Sequence, residues 1–447
     1  MLKNNQTTKA VLKIAIPAIV ESFFVAFAGL VDSLMVSSLG SNAVAAVGLT
    51  NQPKFVGLAI FMAISVSVSA LVARRFGEKR KDDANSILYT ALILIVSLAA
   101  VFGVLFTLFA SPIIRWCGSS QNTHNDAVTY YKIIMSCMIF NCIQIGINSM
   151  QRGAGNTKIT MRTNITSNTV NIIGNYLLIG GKFGFPALGI RGAAIATVFG
   201  SFVACIMSIL SIFKKDCFIS IPYIIKNKIR PKLESLKSII HVGYSVFLEQ
   251  LLMRVGFMAT AVMAAKQGDN SMAAHQVCMH LMSLSFSFGD GLQAASVALI
   301  GRSLGEKNPE KAKAYGRTSQ RIGLTIAITL SIIYFLGSRW FLGLFFKEKA
   351  IIDIGIKVMY FAIAIVVFQI PQCIYTGSLR GAGDTRYTAF TAAFSVAVLR
   401  TIIAYVCCYT LRLGLIGVWM GILGDQVVRY LFGRIRFKQG KWVNIKI

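Results

Sequence analysis

Two acids sit in the first long apolar run, Glu21 and Asp32. Eleven residues separate them, about three helical turns, so at about 100° per residue they share one face and stand roughly 16 Å apart along the axis. A charge at the centre of a membrane helix costs about 2.5–3.5 kcal/mol. Two such costs on one face imply a wet lining or a paired one, the alternative being a carboxyl kept neutral by desolvation. Glu249 lies about 12 residues into a run that begins at Lys237, again near mid-bilayer. Asn164, Asn168, Asn171 and Asn175 follow one another at steps of four, three and four, which puts four amides on one helical stripe. In hydrocarbon that stripe must face protein or water, and carboxamide oxygens suit hard cations. Interhelical hydrogen bonding accounts equally well for Asn164 and Asn168, whereas Asn171 and Asn175 reach the depth of Asp32.

Further polar residues lie in apolar runs of the second half: His275, His280 and Asp290, then Gln369 and Gln372 around Pro371. A lone buried histidine is either a satisfied hydrogen-bonding group or a proton relay. Arg400 and Asp425 read first as partners for buried charges. Met253, Phe257, Met282 and Phe286 belong to a Met and Phe crowd that either lines an adaptable pocket for flat or greasy cations or faces lipid.

The elements that must position these groups are membrane helices. The chain has 447 residues, 55% hydrophobic and 14% charged, with mean hydropathy +0.65. A soluble domain cannot hide that much apolar surface, while a bilayer accepts one helix per run of about 20 apolar residues. Net charge is +28, which by itself suggests nucleic acid. The lysines and arginines, however, fall between apolar runs and in alternate gaps, roughly 30 on one side and about 10 on the other. That asymmetry puts both termini in the cytoplasm, and the expected location is the plasma membrane.

Apolar runs between turn signals predict helices near 11–38, 43–74, 84–110, 124–149, 159–180, 188–213, 237–265, 271–302, 312–342, 351–378, 387–411 and 415–435. The two halves are copies. QRGAGNTK at 151–158 returns as LRGAGDTR at 379–386, an offset of 228 (381 − 153). GEK at 77 returns at 305, Gly40 pairs with Gly268, Glu21 with Glu249, and Gly189 is assigned to Gly417 in the same register. An even number of helices per half gives repeats that point the same way, with a cavity expected between them near mid-membrane. The expected fold is therefore an all-α polytopic membrane protein of twelve transmembrane helices in two pseudo-symmetric six-helix lobes. Its predicted parts are an N-lobe at 1–213, a basic linker at 214–236 on the cytoplasmic side, and a C-lobe at 237–447.

Enzyme chemistry has no sequence support: no HExxH, GxSxG or P-loop pattern occurs. The nine cysteines form no CxxC, so neither a zinc site nor a disulfide framework is expected, and no cofactor is implied. The run at 11–39 is too long for the core of a signal peptide and is kept as the first helix.

RGAG(N/D)T after the fourth and tenth helices, GLVDSLMVSSLG in the first, VGLTNQP in the second and GKFGFPALGIRGAAIAT between the fifth and sixth carry a resemblance. Together they resemble the multidrug and toxic compound extrusion (MATE) family, and EQLLMRVGF with SFSFGDGLQ looks like its NorM-like bacterial branch. The resemblance implies antiport of Na⁺ or H⁺ against small cationic or amphipathic substrates, by alternating access, in a chain expected to act as a monomer without nucleic acid. It implies a cation site, Na⁺ included, at Asp32, Asn171, Asn175 and Thr197, with Glu249 as a second coupling carboxylate. Glu21, Asp290, Gln369 and His275 stand as secondary candidates. Two departures from the family pattern bear on the ion: Asn175 stands where some members have Asp, and Gln369 where many NorM-like members have an acid. A flippase or exporter of a lipid-linked or peptide metabolite is the competing reading. It would line its site with basic residues, and the deep ones are few, Arg254 and Arg400.

Overall fold

The computed structural model describes residues 2–119, 121–214, 217–346 and 348–445. Lys215 and Asp216, part of the predicted linker, lie outside them. Among the described residues there is no strand, and each of the twelve predicted runs is helical.

Two compact units divide the chain, one of Phe24–Gly243 and one of Met1–Phe23 with Tyr244–Ile447. The first holds the end of α1 (Leu2–Ser37), then α2 (Ser41–Gly77), α3 (Lys81–Leu108), the short α4 (Ala110–Trp116), α5 (Gln121–Ser136), α6 (Met138–Gly153), α7 (Thr157–Leu178), α8 (Ile190–Ile212), the short α9 (Ile221–Lys226) and the start of α10 (Leu233–Ala265). The second holds the start of α1, the rest of α10, α11 (Asp269–Gly305), α12 (Pro309–Gly343), α13 (Lys349–Ala382), α14 (Thr385–Ala393), α15 (Arg400–Tyr405) and α16 (Leu415–Gln439). These units differ from the predicted parts, whose edges lay at 213 and 236. The reason is local: the segment after α8 is bonded onto α3, and the long helices α1 and α10 each contribute to both units.

Among the described residues nine helices are long and apolar enough to cross a membrane, ten if α5 and α6 count as one span bent by 50°. The protein is a multi-pass membrane protein. The two predicted spans outside that set, α7 and α11, are long but diluted by polar side chains, the asparagine stripe in one and His275, His280, Asp290 and several serines in the other. The eleventh predicted helix is α14 and α15 with π-helical turns at Phe394–Leu399 and Val406–Thr410, together one span.

The repeated RGAG motif has the same physical job in both units. Gly153 ends α6 against the backbone of Ser69 on α2, and Gly381 ends α13 against the backbone of Val297 on α11. Ser69 and Val297 are themselves 228 apart, as are the left-handed Gly155 (φ +81°) and Gly383 (φ +92°) that close the turns. Only glycine lets two backbones meet this closely while leaving the turn unstrained. The register changes later. Gly189 (φ 56°, ψ −127°) caps the start of α8, and the residue with that geometry in the second unit is Gly414 (φ 57°, ψ −132°), 225 positions on. The assignment of Gly189 to Gly417 is thus corrected by three residues, because the second copy connects its last two helices by a shorter loop.

The segment after α8 is not a loose tether. Asn85 Nδ2 on α3 donates to Phe218 O (3.0 Å), and Asn85 Oδ1 accepts from Ser220 N (2.8 Å). Tyr223 donates to Asp82 (2.8 Å), Lys232 pairs with Asp83 (3.0 Å), and Ser86 donates to Arg230 O (3.2 Å). The hydrogen bond to the Asp82 carboxylate, with burial and charge adding to it, holds the Tyr223 phenol above its usual range. It stays a donor at neutral pH.

An added methyl at Gly381 would lie 2.6 Å from Val297 O, and one at Gly153 would overlap Ser69 O. Gly153→Ala and Gly381→Ala should each lower stability by about 1–3 kcal/mol, seen as a lower melting temperature in detergent. Gly29→Ala, where nothing lies within 4 Å, should leave it unchanged.

Candidate functional site

In the first unit the glycines of α7 and α8 set the geometry. A methyl at Gly174 would stand 2.8 Å from Ala196 Cβ, and one at Gly200 would stand 2.7 Å from Ser167 O. Helices in such contact bring their polar side chains within hydrogen-bonding range. Asn171 Nδ2 donates to Thr197 Oγ1 at 3.1 Å, and Thr197 Oγ1 donates to Ala193 O at 2.9 Å. Asn175, fully buried, donates through Nδ2 to Asp32 Oδ1 of α1. Four predicted residues, Asp32, Asn171, Asn175 and Thr197, therefore lie on three neighbouring helices of one unit. Asn175 Oδ1 is buried and has no hydrogen-bond partner. An unmet buried acceptor costs about 1–3 kcal/mol, so the cluster is one electropositive group short.

Two residues join this site that sequence reasoning missed. Tyr130 on α5 is buried, hydrogen-bonds Thr197 and lies within the field of Asp32. Lys54 on α2 is a cation within electrostatic reach of Asp32. Tyr130, between Thr129 and Tyr131, left no signal that set it apart. Lys54 did, as a charge directly after Pro53 inside a membrane span. The outer asparagines of the stripe are packing groups: Gln144 donates to Asn164 (2.6 Å), and Asn168 donates to its own helix at Asn164 O (2.8 Å).

In the second unit the buried carboxylates Glu249 and Asp425 are paired with guanidinium groups. Arg380 Nη2 donates to both oxygens of Glu249, at 2.7 and 2.6 Å, with both side chains buried. The apolar run that predicts a helix at 351–378 leaves Arg380 in the turn beyond it. Arg380 lies instead inside α13, which continues to Ala382 until Gly383 turns the chain. Asp425 is held by Arg429 (2.7 Å) and Arg400 (3.3 Å), and Arg400 lies over the Phe257 ring at 5.0 Å. His275 Nδ1 accepts from the indole N–H of Trp419 (3.1 Å) in the core. Asp290 accepts from Ser22 (2.7 Å), and Gln369 is buried with Oε1 unpartnered. Glu21 is buried in α1.

The Met and Phe candidates are not gathered into one lining. Met282 lies in the hydrophobic core, Met253 and Phe257 are half-buried, and Phe286 is exposed. The position in the second unit that corresponds to Asp32 is Thr260, which donates to Gly256 O and Phe257 O of its own helix. Among the described residues no three His, Cys, Asp or Glu side chains group to hold a metal ion. The cluster around Asp32 offers one carboxylate, two amides and a hydroxyl, the oxygen donors of a hard monovalent cation or a proton.

Comparison with known proteins places this geometry. The MatE family model matches twice, at residues 17–177 and 246–406, with starts 229 residues apart. "Probable multidrug resistance protein NorM" of Thermotoga maritima is 28% identical over 97% of this chain and 93% of its own. "Uncharacterized transporter YisQ" of Bacillus subtilis is 26% identical over 96% and 93%. Among solved structures, a MATE protein in complex with MaL6 superposes with a TM-score of 0.90 at 24% identity over 97% of both chains. An outward-facing multidrug resistance MATE family transporter of the MOP superfamily gives 0.90 at 23%, also over 97% of both chains. Those neighbours have twelve transmembrane helices in two lobes, the fold expected from the apolar runs. With both halves matched by one family model, the chain belongs to the MatE family of membrane transporters.

Proposed function

We propose that this protein is a secondary active antiporter that exports small organic cations across the plasma membrane in exchange for Na⁺ or H⁺, by alternating access, with both termini in the cytoplasm and one chain as the working unit. The multidrug-resistance names of its relatives support the cargo class. The observation that carries the reading is the Asp32–Asn175 contact with Asn175 Oδ1 left unmet.

A carboxylate bonded by a neutral amide keeps its charge available to a mobile cation. Na⁺ would sit against Asp32 and take up the amide oxygens of Asn175 and Asn171 with the Thr197 hydroxyl. A proton on Asp32 would supply the same electropositive edge. Either event removes one negative charge from the site, and a cationic cargo loses its electrostatic partner. Lys54 sharpens the exchange, since its charge and the arriving cation compete for one carboxylate. The membrane potential contributes about 2.3 kcal/mol per elementary charge per 100 mV, enough to bias a two-state equilibrium of a few kcal/mol.

Glu249 is left out of the coupling step, against the expectation from the family resemblance. Its charge is already met by a fixed guanidinium, so an incoming ion would have to displace a charge-assisted contact made to both carboxylate oxygens.

Purified protein in liposomes, with Na⁺ and pH gradients imposed separately, tests the main reading. Asp32→Asn should abolish gradient-driven efflux while insertion and melting temperature stay normal. Undiminished efflux by that variant would refute it. For the second unit, Glu249→Ala or Arg380→Ala alone should cost about 3–5 kcal/mol of stability, because each leaves a buried charge unpaired. Glu249→Leu with Arg380→Met should recover most of that loss and still transport with ion coupling. A stable double variant that transports without coupling would return Glu249 to the coupling step.

A further inference from the structure

The segment between α8 and α10 is rich in exposed cations. Among the described residues, no carboxylate pairs with the exposed side chains of Lys214, Lys226, Lys228, Arg230 or Lys237. At two other turns the cations are paired: Arg74, Arg75 and Arg80 converge on Glu78, and Arg302 and Lys311 on Glu306. Charge that serves only to orient the chain in the membrane needs no fixed conformation. This charge has one. Asn85 binds the segment from both sides, Tyr223 and Lys232 bind Asp82 and Asp83, and Phe76 packs edge-on to Phe218 with centroids 4.6 Å apart. Lys228 is held at φ +49°, a conformation unfavourable for a residue with a side chain.

The depth of the segment is fixed by α3. α9 packs on α3, whose membrane span begins at Lys81, and Lys81 Nζ lies 4.3 Å from the Tyr223 ring centroid. α9 therefore lies at the border of the bilayer. Beside its cations it exposes apolar side chains, Ile225 at 69% and Leu233 at 67%. A soluble anion has no use for those. An amphiphile with a phosphate head and a greasy body fits both features.

We propose that residues 217–237 form a binding surface for anionic phospholipid headgroups of the leaflet they face. Lys226, Lys228 and Arg230 take the phosphate, Ile225 and Leu233 take the glycerol and upper acyl region, and Asn85 holds the surface in shape.

The test uses the full chain, purified in a neutral detergent and titrated with phosphatidylglycerol or phosphatidylcholine, with bound lipid counted by native mass spectrometry. Phosphatidylglycerol should bind and phosphatidylcholine should not. Replacing Lys226, Lys228 and Arg230 with alanine should weaken phosphatidylglycerol binding about a hundredfold, near fivefold per charge. Replacing Lys182, Lys266 and Arg412, which lie outside the segment, should leave it unchanged. Asn85→Ala keeps every charge and should still weaken binding severalfold, since the display is lost. Equal binding by the Lys226/Lys228/Arg230 variant, or equal loss in the Lys182/Lys266/Arg412 variant, would overturn the proposal. So would full displacement of the lipid by inorganic phosphate at matching concentration, which would mark a free-anion site.

Discussion

A carboxylate inside a membrane helix has to be paired, protonated or wetted, because the surrounding hydrocarbon offers it no solvation. That constraint orders the polar interior of this protein. Glu249 is met by Arg380, Asp425 by Arg400 and Arg429, and Asp384 by Arg436. Asp32 is bonded by the neutral amide of Asn175. A carboxylate met by a fixed guanidinium holds helices together. One met by an amide, with an unmet oxygen beside it, can trade its counter-charge for a mobile one, and ion coupling requires that.

The constraint can be satisfied only because the helices approach closely enough for short side chains to meet. Gly174 and Gly200 bring α7 onto α8, so that Asn171 reaches Thr197, and Gly153 and Gly381 bring the ends of α6 and α13 onto their neighbours. The duplicated halves share this backbone scheme to the level of left-handed turns at Gly155 and Gly383. They have parted in chemistry. Thr260 replaces Asp32 and satisfies itself within its own helix, and the second unit spends its charges on internal pairs. The duplicated fold therefore carries the Asp32-type cluster in one copy.

Much of this was legible in the sequence because it is one-dimensional information. Helix positions follow from apolar run length, the duplication from an exact offset, and the asparagine stripe from its spacing. The pairing of Glu249 was not legible, because Arg380 sits in a motif that reads as a loop, 131 residues away. Only the folded position of Gly383, which carries the helix past residue 378, shows that Arg380 is interior. Tyr130 was invisible for a similar reason, since one tyrosine of the Tyr130–Tyr131 pair gains meaning only when Thr197 and Asp32 come beside it. The slip at Gly189 came from carrying one offset through a loop that is shorter in the second copy. Lys54 was readable and was passed over, although a lysine inside a membrane span marks function or a buried partner.

The central claim is that Asp32 changes its charge state or its cation partner during transport. Infrared difference spectroscopy on the reconstituted protein reads that event directly, as the carboxyl and carboxylate stretches that change when Na⁺ is added or pH is lowered. The account predicts a carboxyl signal in the unaltered chain that is missing from Asp32→Asn, with the amide bands of Asn171 and Asn175 shifting together with it. A difference spectrum that survives intact in Asp32→Asn would contradict it.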